Sequence, residues 1–192
     1  MSDLRLGRGS DLVMAIVRGD GNPAADLARV HEVVAEGADV VEVGVGLGLE
    51  EREEIRLTVP FVAAVRDAYP DLVIGVRTGR AEVAREACAA GADLVSGLSD
   101  YVMAGESRVM IEASGAGQVA ELARAGWTVL VSPAAGDLAG SLAEVAVAAW
   151  LGARVFRVPW VLQTRRALRM VAAIRGDVPP GYAVRGLALV LC

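Results

Sequence analysis

Eight polar side chains fall at or just beyond the ends of short apolar runs: Arg18, Glu42, Arg77, Ser96, Asp100, Glu112, Ser132 and Arg157. Their types suggest two opposed chemistries. In one, Arg18, Arg77 and Arg157, with Ser96 beside them, grip a small anion, for instance a phosphate, through guanidinium forks. Glu42 or Glu112 is then free to act as a general base. In the other, the two glutamates neutralise the arginines, and the group is a satisfied salt-bridge network that needs no ligand. Other chemistries are ruled out by composition. All 19 basic residues are arginine, so neither Schiff-base catalysis nor a P-loop lysine is available. The single histidine, His31, lies within a helical pattern and reads as a surface or packing residue. Two distant cysteines, Cys88 and Cys192, form neither a disulfide framework nor a zinc site, and fit a reducing cytoplasm. No metal and no cofactor is implied.

The elements that carry these residues follow one repeated phrase. Gly37-Ala38-Asp39, Gly91-Ala92-Asp93, Ala125-Gly126-Trp127 and Gly152-Ala153-Arg154 each end an Ala-rich amphipathic stretch and run directly into an apolar segment. A helix that stops at glycine and feeds a buried strand, repeated, makes a parallel sheet with helical crossovers. Strands are expected at 12–17, 40–43, 72–76, 93–96, 108–112, 128–131 and 154–158. Helices are expected after Asn22-Pro23, over about 50–68 with Pro60 kinking or dividing it, and over 80–90, 117–124, 138–150 and 164–174. Strand alternation points Glu42, Arg77 and Glu112 inward. Residues 97–107 leave room for about one turn of helix, close to the lower limit for a parallel crossover.

The expected fold is therefore α/β: a shortened, TIM-barrel-like single domain over 1–192, with seven clear strands where closure takes eight, and an open, doubly wound sheet as its main competitor. The apolar tail, 177–192, supplies an eighth strand or docks on a neighbour. An incomplete barrel leaves a sheet edge to be covered, so a homo- or hetero-oligomer is expected. A formal charge of -5 and a pI near 5.0 argue against nucleic acid. No uncharged run is long enough to span a membrane, and the N-terminus lacks a signal peptide's apolar core. The loop Gly44-Val45-Gly46-Leu47-Gly48 lacks the spacing of a nucleotide loop and reads as flexible. Arg165, Arg166 and Arg169 read as a solvated basic helix face, Glu53-Glu54 as exposed helix carboxylates, and Trp150 as helix packing.

In this order the phrases resemble the dihydropteroate synthase family, the pterin-binding barrels. The resemblance runs through Leu12–Val17, Glu36–Gly44, Glu51–Asp71, Arg80–Arg85, Leu138–Ala143 and Gly152–Val158. The departures cluster at strand ends. Arg18 stands where the family has asparagine, and Arg77-Thr78 where it has the Asp-Thr that holds the pterin. Ser96-Gly97 replaces Asn-Asp, Ser132-Pro133-Ala134 replaces Ser-Arg-Lys, and Arg157-Val158-Pro159 replaces Arg-Val-His. Only Arg157, an anion-binding position in the family, and Glu42, an aspartate there, persist. The resemblance thus implies a pterin-binding framework that has lost the synthase reaction: a partner subunit, a regulatory protein or a binder of a small anionic or pterin-like ligand. The competing expectation is an enzyme acting on a different substrate, with Glu112 or Glu42 as base and Arg157 holding an anion.

Overall fold

At Gly37, Gly91, Gly126 and Gly152 φ is 100°, 112°, 87° and 109°. This left-handed conformation stops a helix at little cost only in glycine. The computed structural model describes residues 11–45, 48–97 and 110–177, and the backbone of 102–103. Helices and strands alternate: β1 (Leu12–Arg18), α1 (Pro23–Ala35), β2 (Val40–Gly44), α2 (Glu51–Ala68), β3 (Val73–Arg77), α3 (Ala81–Ala89) and β4 (Leu94–Ser96). Then follow β5 (Val102–Met103), β6 (Met110–Glu112), α4 (Ala116–Arg124), β7 (Thr128–Val131), α5 (Leu138–Leu151), β8 (Val155–Val158) and α6 (Val161–Arg175).

The sheet order is β5-β4-β3-β2-β1-β8-β7-β6. Seven strands run parallel, and β5 alone is antiparallel, on β4. In a flat sheet β4 and β6 would lie six strand spacings of ~4.8 Å apart. Instead Leu94 of β4 and Met110 of β6 share one buried cluster with Met14, Val40, Leu130 and Val155. The sheet is therefore curled into a half-barrel with an apolar floor, the shortened TIM-barrel-like fold expected from the strand count. Two outer clusters, one around Phe156 and Val145 and one around Phe61 and Val62, pack the helices on its convex side.

Between β4 and β6, where the sequence left room for a turn or so of helix at most, the two described residues form the antiparallel strand β5. Two expectations need correction. Pro60 does not divide α2, which runs unbroken for 18 residues. Pro60 is exposed, so the carbonyl it leaves without a donor can turn to water. Arg165 is not solvated: its guanidinium donates to the Gly37 carbonyl at 2.6 Å and the Asp11 carbonyl at 3.1 Å and pairs with Asp39. Asp100 and the tail beyond 177 lie outside the described residues.

The Arg165 contact belongs to a device used twice at the amino ends of the strands. Asp39 Oδ2 accepts the Val13 amide at 2.7 Å, while its own amide donates to the Val13 carbonyl at 2.9 Å. Asp93 does the same to Ile74, with both bonds at 2.8 Å. Arg66 clamps that second aspartate at 2.6 Å and also donates to the carbonyls of Gly91, Pro70 and Leu72. These half-buried, charge-assisted bonds explain why aspartate follows glycine in both phrases.

Candidate functional site at the carboxyl end of the strands

Alternation along the strands builds the site above the apolar floor. In β2, Val40 lies in the floor and Glu42 stands one inward position higher; in β8, Val155 and Arg157 repeat the pattern. β4, β6 and β7 likewise place Ser96, Glu112 and Ser132 above Leu94, Met110 and Leu130.

Five of these side chains form one chain of polar contacts. Ser96 Oγ donates to Glu42 Oε2 at 3.0 Å. Glu42 Oε1 lies 3.6 Å from Arg157 Nη1. Arg157 Nη2 donates to Glu112 Oε1 at 3.2 Å, and Ser132 Oγ donates to the same oxygen at 2.6 Å. The Ser96 bond spans two strands, from β4 to β2. It is possible because the intervening inward residue of β3, paired in register with Glu42, is Gly75. The network passes from interior to solvent: side-chain exposure is 2% at Glu42, 10% at Arg157 and 42% at Glu112. A guanidinium shared by two carboxylates is held in place, and its hydrogen-bonding capacity toward an added anion is correspondingly reduced.

The other two arginines stand apart. Arg77 is exposed, in register with Ser96, and borders a cavity of about 460 Å³ with Val45, Leu49, Glu54, Thr78 and Arg80. Arg18, also exposed, borders a separate cavity of about 560 Å³ against α1, with Asp20, Arg29 and Glu32. Among the described residues neither makes an ion pair. The three arginines thus occupy three environments and do not converge on one anion.

Some side chains set aside or read differently from the sequence take definite places. Glu54, expected to be exposed, is only 15% exposed and binds Arg80 at 2.6 Å. His31 is exposed on α1 and lies 2.5 Å from the Tyr69 hydroxyl. Burial, and then the charge of Asp93, push the Cys88 thiol above its ordinary range, so it is no activated nucleophile. Among the described residues no cluster of three or more His, Cys, Asp or Glu is placed to hold a metal. No described helix is long and apolar enough to cross a membrane.

Thr78 and Gly97 stand in the replaced strand-end pairs, but the contact between their backbones at the mouth was not anticipated. The Thr78 amide donates to the Ser96 carbonyl at 2.9 Å, and Gly97 has φ of 100°. The isolated glycine after β4 was the available signal.

The pterin binding enzyme family model matches residues 18–121. The chain is 33% identical to the inactive dihydropteroate synthase 2 of Mycobacterium leprae over 250 aligned positions, 84% of this chain and 86% of that protein. Those positions outnumber the 192 residues here, so the relative carries residues without a counterpart. A solved Mycobacterium tuberculosis structure is 32% identical, with a TM-score of 0.76 over 90% of this chain and 95% of the other. The dihydropteroate synthase of Yersinia pestis, solved with a pterine–sulfa conjugate, superposes with a TM-score of 0.73 over 88% and 95%. At 20% identity it shares the fold alone.

Proposed function

This chain belongs to the pterin-binding enzyme family, the dihydropteroate synthases, and from that premise we propose that it is a non-catalytic member acting as a partner or binding protein. The observation that carries the reading is Arg157 held between Glu42 and Glu112. In the family that position binds an anion; here its charge is already shared by two carboxylates. Arg77 at the end of β3 puts a donor where the pterin needs an acceptor. Each polar group of a ligand left unmatched in such a site costs ~1–3 kcal/mol, and several mismatches occur together. The Mycobacterium leprae relative, named inactive, agrees with this reading.

The test is direct. Purified protein incubated with a pterin pyrophosphate and p-aminobenzoate is expected to form no dihydropteroate under conditions in which an active synthase does. Turnover above the uncatalysed background overturns the proposal.

A partner role is favoured by apolar exposure on two adjacent helices. Trp150 of α5 is 58% exposed, and Met170 and Ile174 of α6 are 62% and 67% exposed. Trp150 therefore does not serve the helix packing expected of it. Arg175 Nη1 donates to the Ala149 carbonyl at 2.5 Å, which brings the ends of the two helices level. A second copy of this chain is the simplest cover for such a face. Light scattering is expected to give a dimer, and the double substitution Trp150→Glu/Ile174→Glu a monomer. A monomeric parent protein defeats the dimer.

A further inference from the structure

A cavity of about 580 Å³ opens beside the mouth, between α4 and α5 and behind the ends of β6 and β7. Its volume lies within the range of small-molecule sites. Val119, Val131, Val147 and Ala148 line its walls. Glu112 and Glu144 are both among its lining residues, and they differ. Glu144 is committed: its two oxygens accept the amides of Ala134 and Ala135 at 2.8 and 3.1 Å and hold the loop after β7. Glu112 is anchored by one oxygen only, since Ser132 and Arg157 both donate to Oε1. Its Oε2 makes no hydrogen bond or ion pair among the described residues, and the side chain is 42% exposed.

We infer that this cavity binds a small apolar molecule bearing a protonated amine, with the amine on Glu112 Oε2 and the hydrocarbon body against Val119, Val131 and Val147. A carboxylate already fixed by two donors loses little rotamer freedom on accepting a third, and an ammonium donor makes a stronger bond than a neutral one. The start of α4 borders the same cavity and favours the opposite charge. It offers about half a charge, screened by solvent, against the one net negative charge of the linked Glu42, Arg157 and Glu112. The selectivity is thus for a cation, the reverse of the anion-binding role the family gives Arg157. The inference does not depend on loss of synthase turnover, and the two can fail separately.

Calorimetric titration of the full chain with phenethylamine, phenethyl alcohol and phenylacetate tests it, because the three share a body and differ in charge. Saturable binding is expected in the order amine, alcohol, carboxylate, with the amine about tenfold tighter than the carboxylate. Glu112→Gln should weaken the amine about tenfold and leave the alcohol unchanged. Ala143→Trp, which fills the cavity, should weaken all three; Ala116→Leu serves if that variant folds poorly. Carboxylate binding as tight as amine binding, amine binding that none of these substitutions alters, or no saturable binding of any probe overturns the inference.

Discussion

Arg157→Met is expected to lower the free energy of unfolding by about 3–5 kcal/mol, the usual cost of removing one partner from a buried ion pair. Glu42, with a side chain 2% exposed, stays in the interior after its guanidinium is gone. Glu112, 42% exposed, can turn to water and adds little to the loss. The paired substitution Arg157→Met/Glu42→Gln should recover most of the stability, because replacing a buried pair as a unit is often close to neutral. Urea midpoints at unchanged m measure both steps. A loss below about 1 kcal/mol in the single variant, or no recovery in the double, would mean that solvent reaches Glu42. It would also reopen the view of Arg157 as a ligand-binding cation. The expected result instead makes the mouth a structural network inherited from a binding site.

The second large effect is expected at Gly97. A Cβ there would lie 2.7 Å from the Thr78 carbonyl oxygen and 3.1 Å from its carbon, at φ of 100°. The obstruction is backbone, and the Thr78 amide is itself bound to the Ser96 carbonyl, so it cannot swing aside as a side chain would. Gly97→Ala should cost about 2–4 kcal/mol, from the strained φ together with the forced separation of the two loops. Gly115, at φ of 89° but with nothing within 4 Å of its added Cβ, serves as the control, and its alanine variant should lose only ~1 kcal/mol. Thermal or urea unfolding of the two variants side by side separates strain from collision. Equal losses would show that the loops after β3 and β4 have room to part. The expected difference also bears on function: Gly97→Asp, which restores the polar residue typical of the family, should destabilise the mouth without recovering pterin binding.

Local pattern carried most of the framework. Glycine at Gly37, Gly91, Gly126 and Gly152 ends helices whatever the rest of the chain does, because the left-handed cap depends on one residue's own backbone. Alternation of period two likewise assigned Glu42 and Glu112 to the inner face, because it follows from the pleat of each strand alone. Seven apolar runs with helical spacers were enough for a parallel sheet with helical crossovers; they did not by themselves separate a curled barrel from an open sheet, and the family resemblance favoured the barrel.

The partners within the mouth were not legible, for a physical reason. Contact between Ser96 and Glu42 requires β3 to offer no side chain between them. Contact between Arg157 and both glutamates requires the guanidinium on β8 to reach across β1 to β2 on one side and across β7 to β6 on the other. Neither condition is written in any window of sequence. The same holds for Arg165, whose spacing matched a solvated helix face until the fold put Gly37 and Asp39 within its reach, and for Trp150, whose helix turned it outward. Residue order alone placed these groups at the strand ends. That two of the carboxylates close on one arginine while Arg18 and Arg77 are left to solvent came from the folded sheet, because charge pairing depends on distances across strands that no local period encodes.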